Sequence, residues 1–249
     1  MLRDGERAAL QFSGGKDSAA LLYRARPWLD RITVFFADTG AVYPHVRDFV
    51  EQTCLRLGAR LEVVSPPRHV KEHIDAAGLP SDLVPVESTL EMQPMLRERK
   101  PQLVQSYIAC CGAMIWQPLE RAIREAGFSV VLRGSKRSDA LVGVGPSHWE
   151  RGVEYRSPLW DWSDERVMAY LRREGVRLPT HYAHIPDSLD CWLCTAHLAH
   201  HGIAKLRWTR EHYPALWPEL QRRFARLAAT LDAERAAISS ALAFPGEPS

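Results

Sequence analysis

The chain has 249 residues, 46% hydrophobic and 25% charged, with 32 basic against 30 acidic side chains and a net charge of +2. Those proportions exclude collagen, low-complexity disorder and a disulfide-stapled miniprotein, and the near balance of charge does not single out nucleic acid as a partner. No apolar run approaches a membrane span and no apolar core follows the charged first residues, so the expectation is a cytoplasmic protein without membrane contact.

Ala8–Phe12 is short and apolar and stops at Ser13-Gly14-Gly15, which predicts a buried strand. Ser18–Trp28 carries apolar residues at helical spacing and breaks near Pro27. Ile32–Phe36 predicts a second strand, Tyr43–Leu57 a helix and Leu61–Val64 a third strand. From Pro66 to about Gln105 six prolines interrupt the pattern, which predicts an insertion with short helices, of the kind that forms a lid. Gly112–Ala126 is helical and leads into a fourth strand, Val130–Leu132. Ser163–Glu174 is a helix with Ser163 as its cap and Asp164 and Glu165 at its positive end. Residues 207–242 are helical and charged, with a break around Pro214 and Pro218, before a short polar tail, Pro245–Ser249. Strands alternating with helices predict an α/β fold: an open, mostly parallel sheet with helices on both faces and a helical C-terminal extension. The expected division is residues 1–200 and 201–249, with the insertion at about 66–105.

Ser13-Gly14-Gly15-Lys16-Asp17-Ser18 lies between a predicted strand and a predicted helix. Two glycines let the backbone turn and bring its N–H groups to an anion. The helix start adds unpaired N–H groups and a positive dipole end, and Lys16 adds a cation. The whole reads as a phosphate cradle, though not the Walker pattern. Asp38-Thr39-Gly40 and Arg133-Gly134-Ser135-Lys136-Arg137 follow the second and fourth strands, at the carboxyl edge where open α/β sheets bind ligands. Asp38 suits a ribose hydroxyl or adenine amine, and Arg133, Lys136 and Arg137 suit phosphate or sulfate oxygens.

These segments together resemble the PP-loop N-type ATP pyrophosphatases, which cleave ATP between the α and β phosphates. Asp38-Thr39-Gly40 with Tyr43-Pro44, the Gly134 loop, Tyr155–Leu171 and Asp190–Thr195 resemble the phosphoadenosine phosphosulfate (PAPS) reductase branch. The resemblance covers about residues 8–196 in the right order. It implies nucleotide binding by Ser13, Gly14, Gly15, Lys16, Asp17, Ser18, Asp38, Thr39, Gly40, Arg133, Gly134, Lys136 and Arg137, with Lys16, Asp17 and Arg137 acting in catalysis.

The five cysteines are Cys54, Cys110, Cys111, Cys191 and Cys194. An odd and sparse set argues against a disulfide framework. Four thiolates suit a tetrahedral zinc or a four-iron cluster. Adjacent cysteines diverge by about 100° on a helix, which favours a cluster over one ion. A helix start beside Cys110 and Cys111 is expected to favour thiolates. The pairs also resemble the [4Fe–4S] signature of the adenylylsulfate (APS) reductases, which implies Cys110, Cys111, Cys191 and Cys194 as ligands and leaves Cys54 to packing.

Two departures set the expected chemistry. No cysteine follows Cys194, whereas the reductases carry a nucleophilic cysteine in a C-terminal Glu-Cys-Gly segment. Met114 and Ile115 stand where the iron–sulfur reductases carry Arg-Lys. The intact glycine loop instead favours ATP, with Mg2+, cleaved to pyrophosphate and an adenylate that supports iron–sulfur-assisted sulfur transfer. The partners this implies are a cysteine desulfurase or another sulfur donor and a nucleic-acid acceptor; a homo-oligomer is compatible with it. The alternatives are an APS or PAPS reductase that releases sulfite, and a silent nucleotide-binding iron–sulfur module. His197, His200 and His201, and the basic groups Lys205, Arg207 and Arg210 and Arg222, Arg223 and Arg226, are expected to be solvated faces.

Overall fold

The computed structural model describes residues 1–82, 104–139, 145–189, 191–196, 198 and 202–242. The main sheet contains β1 (Ala8–Gln11), β2 (Ile32–Ala37), β3 (Arg60–Val64), β6 (Val130–Leu132), β7 (Ser147–Glu150) and β8 (Val153–Arg156). Its order is β3-β2-β1-β6-β8-β7, and all pairs are parallel except β7 with β8. A small parallel pair, β4 (Leu79–Ser81) and β5 (Val104–Ser106), stands apart. The helices are α1 (Lys16–Arg24), α2 (Pro44–Leu57), α3 (Val70–Ala77), α4 (Tyr107–Cys111), α5 (Gln117–Glu125), α6 (Asp164–Arg173), α7 (Ile203–His212) and α8 (Trp217–Leu242).

The apolar strands fill both faces of the sheet. Leu10, Val34, Phe36 and Leu132 point to one face, where Leu21 and Leu22 of α1, Val50 of α2 and Leu171 of α6 cover them. Ala9, Phe35 and Val131 point to the other, under Leu119 and Ile123 of α5. This alternation follows from the two-residue period of a strand, and burial on both faces explains why the strands read as continuous apolar runs. Each fully buried aliphatic side chain contributes about 1.5–3 kcal/mol, so the central strands are the anchor of the molecule.

β1 pairs with β2 on one side and β6 on the other, through Leu10↔Val34 and Leu10↔Leu132. The chain therefore leaves β1 in one direction and β6 in the other, which opens a crevice at their carboxyl ends. The glycine loop, the segment after β2 and the segment after β6 all emerge there.

Several expectations change in detail. The first helix starts at Lys16 rather than Ser18, and a 3-10 segment, Arg26–Arg31, replaces its last turn at Pro27. The helix placed at Gly112–Ala126 begins earlier, at Tyr107, and runs through a π-helical turn, Gly112–Trp116, into α5. Cys110 and Cys111 thus lie inside a helix rather than before one. The hairpin β7–β8 was not anticipated. Ser163 caps α6 as expected, accepting from the Arg166 N–H at 3.2 Å. Within the proline-rich stretch, α3, β4 and β5 are defined; residues 83–103 lie outside the described residues, as do Asp190, His197, His200, His201 and Pro245–Ser249.

Candidate functional site

Gly14 turns the chain off β1 with φ +80°, and a methyl group there would meet Val46 Cγ1 at 2.8 Å. Behind the loop, Ser18 Oγ donates to the Gly15 carbonyl at 3.0 Å and lies 3.1 Å from Ser13 Oγ. These bonds fold the loop back on the first turn of α1, so its N–H groups collect at the positive helix end. Gly134 closes the other side. A Cβ on Gly134 would stand 2.8 Å from the Ser18 nitrogen and 2.9 Å from the Asp17 carbonyl carbon. Only glycine lets the β6 loop lie against the start of α1.

The charged groups of the two loops interlock. Lys136 is almost fully buried, and its ammonium donates to Asp164 at 2.6 Å and to Asp17 at 2.8 Å, with Asp139 at 3.7 Å. Burial works against that charge, yet the hydrogen bonds to Asp164 and Asp17 outweigh it and hold Lys136 above the ordinary lysine range. The same bond from Lys136 holds the Asp164 carboxyl below its usual value. Lys16 Nζ lies 3.6 Å from Asp17, 3.8 Å from Asp164 and 4.0 Å from Asp187. Two ammonium groups and four carboxylates therefore surround the loop.

The other expected nucleotide residues fall into different surroundings. Asp38 accepts from the Gly40 N–H at 2.9 Å and pairs with Arg47. Gly40 lies under the His69 ring. Arg137 is exposed and pairs with Asp161 at 2.6 Å. Arg133 is half-buried, donates to Gln11 at 2.9 Å and stacks on Tyr155 at 4.1 Å. Its charge is disfavoured by that burial.

The cysteine segment meets the same edge of the sheet. Thr39, two residues after β2, is buried, and its Oγ1 is 3.0 Å from Cys191 Sγ. The Trp192 N–H donates to the Ala41 carbonyl at 2.8 Å. Cys194 N–H to Cys191 O closes the Cys-x-x-Cys turn at 2.9 Å. Lys205 was expected on a basic surface; its side chain is instead buried, and its ammonium donates to the carbonyls of Cys191 and Cys194 at 2.9 and 3.2 Å. Cys110 packs in one apolar cluster with Leu193, Met114 and Leu220, with Cys191 at its margin.

Burial, then the neighbouring Cys191 and Cys194, pushes the Cys110 thiol above its usual range. The expected thiolate-favouring helix start is thus overridden, because Cys110 lies in apolar surroundings inside the helix. Among the described residues, no three of His, Cys, Asp and Glu form a group that could hold one metal ion. Buried thiols crowded together ionise when a multivalent cation compensates them, and an iron cluster distributes its ligands over several metal atoms. Cys110 has Cys191 and Cys194 as neighbours, and thiols are the donor type that holds an iron cluster. Cys54 is different: it is buried in α2 and burial alone pushes its thiol up to about 12.

Two contributors were missed. Tyr182 receives the Lys16 N–H on its hydroxyl at 2.9 Å, and Ser188 Oγ lies 3.2 Å from the same oxygen. Nothing in the local sequence signals this, because 166 positions separate Tyr182 from Lys16.

The parallel sheet, its switch point and the glycine loop define a PP-loop α/β protein of the ATP pyrophosphatase superfamily. The family model of the phosphoadenosine phosphosulfate reductase domain matches residues 7–197, and the chain belongs to that family. It is 27% identical over 172 residues to an adenosine 5'-phosphosulfate reductase of Allochromatium vinosum, covering 66% of this chain and 58% of the relative. It is 29% identical over 211 residues to a sulfate adenylyltransferase subunit 2 of Streptomyces lavendulae, covering 72% and 57%. A phosphoadenylyl-sulfate reductase structure from Candida auris aligns with a TM-score of 0.48 at 18% identity, over 71% of this chain and 76% of that one. The chain thus spans less than two thirds of the length of the two sequence relatives. No described helix is long and apolar enough to cross a membrane.

Proposed function

We propose that the chain binds ATP at the Ser13–Ser18 loop and cleaves it between the α and β phosphates, forming an adenylated acceptor and pyrophosphate. The observation that carries this reading is the loop itself: Gly14, Gly15 and the start of α1 converge at the β1/β6 switch point with Lys16 beside them. Lys16 and Lys136 supply positive charge where pyrophosphate would leave, and Arg137 reaches the open side. Asp17 holds the Lys136 ammonium in place. Asp38, Thr39 and Gly40 line the neighbouring edge for the nucleoside, and Arg133 stiffens the β6 loop. Mg2+ accompanies the phosphates, which themselves furnish its oxygen ligands.

The thiols suggest what the activated acceptor receives. A [4Fe–4S] cluster held by three of Cys110, Cys111, Cys191 and Cys194 would leave one iron free to carry sulfide when bound, whereas one held by all four would not. The Thr39–Cys191 contact supports the reading that thiol segment and nucleotide edge work together. A cysteine desulfurase is the proposed donor and a nucleic acid the proposed acceptor.

A second reading is favoured by the relative named adenosine 5'-phosphosulfate reductase. In it the same crevice binds a sulfonucleotide and sulfite is released. The two differ in product. Incubated without oxygen, the protein should release pyrophosphate from ATP; sulfite from APS or PAPS, with no pyrophosphate from ATP, would establish the second reading instead.

A further inference from the structure

The segment from Pro179 to Leu189 folds over the glycine loop and places an oxygen on it. The Lys16 N–H, in the first turn of α1, donates to the Tyr182 hydroxyl at 2.9 Å. Ser188 Oγ sits 3.2 Å from that hydroxyl and so close to Gly15 that a Cβ there would meet it at 2.2 Å. Asp187, from the same segment, comes within 4.0 Å of Lys16 Nζ. Two hydroxyls and a carboxylate thus face the cradle from one strip of chain.

The strip has a firm foot. His181, beside Tyr182, is 1% exposed, and its Nδ1 lies 2.9 Å from His45 Nε2. His45 Nδ1 in turn lies 2.7 Å from the Tyr213 hydroxyl. The His181 and Tyr182 rings contact at 4.4 Å. The Ile185 N–H donates to the His181 carbonyl at 2.8 Å. The phenol is therefore held against the loop by packing.

A single N–H makes one good hydrogen bond. A phosphate oxygen that uses the Lys16 N–H must take the place of the phenol oxygen. The phenol is neutral, so it gains little from the helix end and Lys16, whereas phosphate gains from both. We propose that the Tyr182 hydroxyl mimics a phosphate oxygen and competes with the nucleotide for the loop, so that Tyr182 sets the affinity of the site. This rests on the reading of Ser13–Ser18 as the phosphate cradle.

The test is titration of Mg-ATP and of inorganic pyrophosphate into the wild type and Tyr182→Phe by calorimetry. Removing the oxygen while keeping the ring deletes the competitor, and the variant should bind both roughly two- to tenfold more tightly, the range of one net hydrogen bond. Weaker binding would make Tyr182 a phosphate ligand and overturn the proposal, as would equal affinity. Failure of the wild type and the variant alike to bind either probe would instead overturn the cradle reading and this inference with it. Should the variant not fold, nitration of the wild type by tetranitromethane decides, with the other tyrosines as internal references. Pyrophosphate should increase modification of the Tyr182 peptide; protection or no change would contradict displacement.

Discussion

At Gly134 a single methyl group decides whether two loops can meet. The nearest atoms to an added Cβ are backbone atoms of Asp17 and Ser18, at 2.8 to 3.0 Å, which cannot swing aside as a side-chain tip would. Gly134→Ala should therefore lose about 1–3 kcal/mol of stability and most nucleotide affinity, as the β6 loop is forced away from α1. Thermal unfolding and ATP titration check it; a variant with wild-type affinity would mean that the β6 loop does not close the site. From the sequence Gly134 is expected to be a nucleotide contact; its close approach to the start of α1 is what the structure adds. The partners of its neighbours were not legible. Lys136 and Arg137 read as two free cations, yet Lys136 is buried among Asp17, Asp139 and Asp164 while Arg137 is exposed with Asp161. Asp139 is local to the loop, but Asp17, Asp161 and Asp164 come from other segments, so no local pattern announces them.

At the scale of elements, the strands and helices nearest the loop were the most legible. Apolar runs ending in Gly-Gly give β1 and α1, because a strand buried on both faces and an amphipathic helix leave separate sequence signatures. The hairpin β7–β8 left little signature: β7 is largely exposed, with Trp149 on its surface, so it lacks the alternation of a half-buried strand. The packing of α2 and α7 on the segment after α6 was also invisible. It rests on His45 and His181, whose pKa values burial lowers to about 4. Asp48 opposes the shift at His45 and His212 adds to it. Because the folded values lie below the unfolded 6.5, the stability these residues contribute is full above pH 6.5 and falls away as pH drops toward 4. Urea unfolding should show a loss on the order of 2 kcal/mol between pH 7 and pH 5. The double substitution His45→Gln, His181→Gln should flatten that slope; an unchanged slope would contradict the burial of neutral imidazoles. Glu6, which Arg156 holds at about 2, adds its own loss only at lower pH.

At the scale of the molecule, the edge of the sheet that carries the glycine loop also brings Thr39 against Cys191. Spacing and family likeness set four cysteines apart from Cys54, and the proposed cluster rests on that division. Their surroundings were not legible, because Leu220 and Lys205 reach them from other helices and Leu193 packs against Cys110 about 80 positions away. Cys110→Ser and Cys191→Ser should each lose most bound iron and acid-labile sulfide after anaerobic purification, while Cys54→Ser should keep both. Equal iron in all three, or zinc in place of iron in the wild type, would contradict the cluster assignment.

In the proposed reaction, Lys16 and the glycine loop around it direct cleavage between the α and β phosphates of ATP. The most direct measurement is the product balance from ATP, with the proposed acceptor and sulfur donor supplied, for the wild type and Lys16→Ala. AMP, free or on the acceptor, should equal pyrophosphate in the wild type, and both should fall at least tenfold in the variant, roughly the loss of one transition-state charge contact. Release of ADP and phosphate, or undiminished pyrophosphate from Lys16→Ala, would contradict it.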